Sequence, residues 1–166
     1  MDDRLQGLID RMEVTELLTR FHRAVDRNAW EMMRNEVLAP EAVWEWTAAD
    51  ASGSVADRAV GADSFVAWLS SSMTGSNVRH FTTSHLIEIE GDHAHSESYM
   101  VVIDTLTLDV LANGLLTADH VRRPEGWRML RCCIDERIPD GMVETIKTLL
   151  PGGVDAQILS DSSTAE

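Results

Sequence analysis

Helical spacing governs the first part of this chain and two-residue alternation governs the second. That change of period constrains the fold more than any other feature. Leu5, Leu8, Ile9 and Met12 form one helical stripe, which Leu17, Phe21 and Val25 continue at four-residue steps. The spacing predicts a helix over 4–26 with a break near Arg11. Asn28 followed by Glu31 has the form of a capping box, which predicts a second helix over 29–38 stopped by Pro40. Val43-Trp44-Glu45-Trp46 alternates like a short strand with both tryptophans on one face. Residues 47–57 are small and polar and read as a loop. Asp63 is placed as the cap of a third helix bearing Phe65, Trp68, Leu69 and Met73, ended by Thr74-Gly75-Ser76-Asn77. Beyond it, residues 79–90 and 93–109 are rich in β-branched side chains and flank a Gly91-Asp92 turn. Asn113-Gly114 reads as another turn, followed by a strand to about Arg123. Pro124-Glu125-Gly126 then leads into a last strand from Trp127 to about Ile138. Helices followed by an antiparallel meander predict an α+β fold, with helices covering one face of a curved sheet.

A chain of 166 residues can bury a core without disulfides. The expectation is a single domain over 1–150, with a Gly-, Ser- and Asp-rich flexible tail over 151–166. Lys plus Arg number 14 against 28 Asp plus Glu, a formal net charge of −14. Such a chain repels phosphates, so no nucleic-acid partner is expected. No apolar run approaches the roughly 18 residues of a membrane span. Met1-Asp2-Asp3-Arg4 lacks the basic-then-apolar order of a signal peptide. Cys132 and Cys133 are adjacent in a strand and should face opposite ways, so they make no disulfide framework. A reducing cytoplasm is the expected location.

The chemistry-bearing positions begin with Asp26, the last member of the row Val14, Leu18, His22 and Asp26, which starts apolar and ends ionisable. A carboxylate at a helix C-terminus meets the negative end of the macrodipole, which disfavours its charge. His80, opening a strand, could donate a ring N–H to it and keep its other nitrogen as a base. From spacing alone, a solvated turn and an ordinary strand start are the plainer reading of the same two residues. His85 falls on the face opposite His80 in a regular strand, and a bulge would reverse that. Tyr99 and Asp104 lie on opposite faces of the long central strand, and an inward Tyr99 could bind a substrate oxygen. Arg131, Asp135 and Arg137 share a face of the last strand, with Arg137 a candidate anion or enolate stabiliser. Trp44 and Trp46 suit a pocket lining or ordinary core. His93 and His95 at a hairpin have no partner at metal-ligand spacing, so no metal is expected. No glycine-rich phosphate loop, G-x-S-x-G elbow or HExxH occurs, which argues against cofactor-bound redox or phosphoryl transfer. No cofactor is expected.

Three stretches together resemble the SnoaL-like, nuclear-transport-factor-2-like superfamily, nearest the branch of scytalone dehydratase, the bile acid 7α-dehydratases and lindane dehydrochlorinase. They are Phe21-His22-Arg23-Ala24-Val25-Asp26 running on to Trp30-Glu31-Met32-Met33; Arg79-His80 through His85-Leu86-Ile87-Glu88-Ile89-Glu90-Gly91-Asp92-His93-Ala94; and Gly114 to Trp127-Arg128. The second is similar to the family's H-x-x-x-x-H-x-I-x-I-x-G-D-x-A, and the resemblance covers about residues 4–140. It implies a cone in which N-terminal helices close one end of a strongly curved antiparallel sheet around an apolar cavity. It implies a working Asp–His pair that falls on Asp26 and His80. Phe21 stands where relatives often carry Tyr or Lys, and Leu116 where they tend to carry Tyr, which makes the implied cavity more apolar. The expectation is a cofactor-independent lyase, a dehydratase of a small hydrophobic cyclic metabolite of polyketide or steroid type. Its substrate contacts would come from Phe21, Trp44, Trp46, His85, Tyr99, Asp104 and Arg137. An isomerase or polyketide cyclase with the same pair, or a non-catalytic binding or assembly module, are the alternatives. The implied assembly is a homodimer or homotrimer.

Overall fold

The computed structural model describes residues 3–47 and 55–135. Helix α1 (Asp3–Asp26) runs without a break at Arg11. Its buried stripe starts later than the sequence suggests. Leu5, Leu8 and Met12 are exposed, whereas Val14, Leu17, Leu18, Phe21, Ala24 and Val25 are buried. Burying each such Leu or Phe contributes roughly 1.5–3 kcal/mol, so the second half of α1 anchors the helix.

The end of α1 is fixed by its backbone. Ala29 N–H donates to the Ala24 carbonyl and Asn28 N–H to that of Val25, while Asn28 takes a positive φ of 54°. This is a Schellman end with Asn28 in the left-handed position that Asn tolerates. Asn28 therefore closes the first helix instead of capping the second. The expected helix over 29–38 is reduced to α2 (Trp30–Met32) and a π-helical turn, Met33–Val37.

Pro40 does not stop that helix. It lies inside β1 (Leu38–Thr47), in the stretch between Leu38 and Val43 where register with the neighbouring strand slips, which is where a strand tolerates a residue without an N–H. The expected loop over 47–57 contains the start of β2 (Val55–Val60); residues 48–54 lie outside the described residues. Helix α3 (Ala62–Met73) is capped by Gly61 at φ 87° with no side-chain cap. Asp63 instead sits in the first turn and pairs with Arg34 at 2.6 Å.

The remaining strands are β3 (Val78–Glu90), β4 (His93–Asp104), β5 (Val110–Arg123) and β6 (Gly126–Asp135). Asn113 and Gly114 lie within β5, opposite Val101 and Met100. The turn lies earlier, where Asp104 accepts the Leu106 and Thr107 amides. Ile138 and the 151–166 tail are outside the described residues.

The sheet order is β2-β1-β6-β5-β4-β3. Neighbours are antiparallel except β1 and β6, which run parallel. The fold is α+β, with a curved, unclosed sheet. The inward positions of β4 are Ala94, Ser96, Ser98, Met100 and Val102, and those of β5 include Leu116, Ala118 and His120. Helices α1 and α3 pack on the sheet, α1 against β3 and β6 and α3 against β1. Cys132 is buried and Cys133 only partly so, as opposite faces require.

Candidate active site

Two elements bring the ionisable residues together. The Schellman end leaves Asp26 in the last turn of α1, and β3 is an edge strand, so some of its amides have no strand partner. The Asp26 carboxylate takes one of them. His80 N–H donates to Asp26 Oδ1 at 3.2 Å, and His80 Nδ1 meets the same oxygen at 2.8 Å. The side chains are 7% and 11% exposed for His80 and Asp26. With the carboxylate ionised, Nδ1 carries the proton and Nε2 keeps its lone pair. Arg79 Nη1 donates to the Asp26 carbonyl at 3.4 Å, meeting one of the helix's unpaired carbonyls.

His85 joins this face because β3 is bulged. Register slips between Thr83 and Leu86, and Ser84 takes φ 57°. The extra residue lets His85 Nδ1 reach the inward Ser98 Oγ at 2.7 Å.

A third histidine lies beneath. His22 is 4% exposed, stacks on His80 with centroids 5.4 Å apart and planes 23° from parallel, and meets Phe21 edge-on at 5.1 Å. Among the described residues, neither of its ring nitrogens has a hydrogen-bond partner. Burial, aided by His80 and His85, lowers its pKa to about 3, so it is neutral at ordinary pH. His22 stands in the row that ends at Asp26, one turn earlier. That spacing was the only sequence signal for it, and Ser98 carried none.

Phe21 and Trp44 belong to an aromatic chain through Phe65, with centroids 6.0 Å from Phe21 to Phe65 and 5.3 Å from Trp44 to Phe65. Trp46 is half-buried against the same core. Tyr99 is not brought in: it is 63% exposed and alternates outward between the buried Ser98 and Met100. Asp104 is engaged in the turn described above. Arg137 lies outside the described residues. Arg131 pairs with Glu45 through Nη2 at 2.6 Å and faces away from the core.

Two surface grooves, of about 620 Å³ along α1 beside Met12 and about 570 Å³ beside His93 and His120, include neither Asp26 nor His80. Among the described residues, no group of three or more His, Cys, Asp or Glu is arranged to hold a metal. No described helix is long and apolar enough to cross a membrane.

The sequence profile of the SnoaL-like domain matches residues 6–132. Among solved structures, an NTF2-like protein of cystatin-like fold from Novosphingobium aromaticivorans is 22% identical over 86% of this chain and 90% of its own, with TM-score 0.69. A protein provisionally described as a scytalone dehydratase from the same organism is 14% identical, covering 83% and 89%, with TM-score 0.68. A Nostoc punctiforme protein of unknown function with a cystatin-like fold is 19% identical over 79% and 95%, with TM-score 0.66. At these identities the likeness is one of fold. No curated protein matched the sequence.

Proposed function

The chain belongs to the SnoaL-like domain family, and from that premise we propose that it is a cofactor-independent lyase, a dehydratase acting on a small, largely apolar cyclic metabolite of polyketide or steroid type. The observation that carries the reading is the partly buried 2.8 Å contact between His80 Nδ1 and Asp26 Oδ1. It fixes the tautomer and leaves Nε2 as the base. In the proposed reaction, Nε2 takes the proton from the carbon next to a ring carbonyl, and the electron pair moves onto the carbonyl oxygen as an enolate. The enolate then re-forms the carbonyl and expels the β-hydroxyl, which leaves as water with the proton held by His80. Asp26 stabilises the imidazolium formed in between. His85, oriented by Ser98, is the proposed donor to a substrate oxygen, and half-buried Trp46 is the proposed apolar contact, with Phe21 and Trp44 packed behind it. The protein is proposed to work as a homodimer or homotrimer.

His80→Ala and Asp26→Asn should each lower kcat by about a hundred-fold or more, the range of positioned acid–base catalysis. Near-full turnover in either variant removes the mechanism. Product mass separates dehydration, which loses water, from isomerisation, which loses nothing. One observation favours a second reading, a non-catalytic assembly module: Phe21, Trp44, Met100 and Leu116 are each 2% exposed or less, so these core side chains offer a guest molecule no open surface. No turnover by the parent chain, together with an oligomeric state that is unchanged in His80→Ala, would select that reading.

A further inference from the structure

Helix α1 meets His80 twice, with Asp26 at the ring edge and His22, one turn earlier, on the ring face. We propose that His22 is a positioning residue for His80: its ring, stacked against the imidazole and kept uncharged, fixes the plane in which Nδ1 meets Asp26 and the opposite nitrogen stands ready as the base. The proposal rests on the acid–base reading of the Asp26–His80 pair.

Hydrogen-bond partners are allotted unevenly around His80. His80 meets Asp26 and His22 from α1; on its own strand Arg79 reaches the Asp26 carbonyl and His85 acts electrostatically on His22, while the inward positions of β4 here are Ser98, Met100 and Val102. Among the described residues, one carboxylate thus stands beside three imidazoles and bonds to one of them. Asp26 is committed to His80, which holds it through both a ring nitrogen and a backbone amide. His85 holds a hydroxyl. His22 has no hydrogen-bond partner among the described residues. A buried polar group without a partner calls for a physical reason, and here the reason is to keep the ring under His80 uncharged. An acceptor beside His22 would stabilise its imidazolium directly under His80, and two like charges at stacking distance oppose each other. Leaving both His22 nitrogens bare, with Phe21 edge-on to the ring, disfavours a charge on His22 beneath His80. The depressed pKa of His22 agrees with that allotment. The flat ring also restricts rotation of His80 about its bond to Asp26, which a single hydrogen bond leaves free.

The test compares His22→Phe, which keeps a flat neutral ring, with His22→Leu, which fills the volume without one. Two readouts are needed on the full chain: steady-state kinetics, and a magnetic-resonance titration of the His80 ring, which requires no substrate. His22→Phe should leave the His80 titration midpoint, kcat and KM close to those of the parent. His22→Leu should fold, shift the His80 midpoint and lower kcat on the order of ten- to a hundred-fold with little change in KM, as misplacement of a reacting group does. Equal loss in both variants would overturn the proposal by showing that the nitrogens themselves are needed. An unaltered His80 titration and kcat in His22→Leu would overturn it from the other side. If no substrate is ever turned over, the lyase reading fails, yet the titration still decides the role of His22.

Discussion

Asp10 shows how one residue can hold the far end of α1. It is 3% exposed, accepts Gln6 Nε2 at 3.0 Å and pairs with Arg122 Nη2 at 2.7 Å. The Arg122 guanidinium lies 4.5 Å over the Trp127 ring. Its hydrogen bond to Arg122, opposed by burial, holds the Asp10 carboxyl below the usual carboxylate range. A depressed folded-state pKa gives stability that is present above the unfolded value and lost as pH falls through the folded one. Asp10→Asn should therefore cost about 2 kcal/mol at neutral pH, the scale of a hydrogen bond to a charged group. In urea unfolding, the gap to the parent chain should shrink once both forms are below the carboxylate range. A gap that persists in acid would mean the charge is not the cause. At this scale the sequence was half legible. Asp26 and His80 stood out because an ionisable residue interrupts an apolar row and another opens a strand. Asp10 and His22 did not, because a polar residue on a helix says nothing of whether an arginine or an imidazole from a distant strand will meet it.

Among the elements, β3 departs most usefully from regularity. Ser84, at φ 57°, makes the bulge that turns His85 toward Ser98. Left-handed backbone costs an L-residue roughly 1–2 kcal/mol, most for a branched one. Ser84→Gly should hold or raise the melting temperature, whereas Ser84→Val should lose about 1–2 kcal/mol and weaken the His85–Ser98 contact. Equal melting temperatures for the two would mean the bulge is not held by that conformation. The sequence marked the strands through alternation but not this irregularity, since a bulge needs one extra residue and leaves no composition signal. Asn113-Gly114 misled in the opposite direction. The pair favours a tight turn locally, yet ladder bonding to Val101 and Met100 keeps it extended, and the turn is made instead by Asp104 taking two amides. Asn28 misled similarly, because its spacing to Glu31 fits a cap while its backbone closes the preceding helix.

For the whole molecule, the α+β architecture was readable from the order of periodicities, and the pairing of β1 with β6 was not. No local pattern tells an early strand that its neighbour is the last one. The open sheet leaves Phe81, Leu86 and Tyr99 at 56%, 59% and 63% exposure on its outward side, and apolar surface of that kind suits subunit contact. Light scattering should give a dimer or trimer; a monomer at micromolar concentration would remove the proposed assembly. The parallel pairing also bears on synthesis. Because Leu38 waits for Met129 and Trp44 for Cys132, the middle of the sheet cannot form until nearly all of the described chain has left the ribosome. Until then the tryptophan-bearing hairpin has a bare flank. A nascent polypeptide stalled just short of Gly126 should consequently be sticky and protease-sensitive, the stage at which a chaperone has most to do.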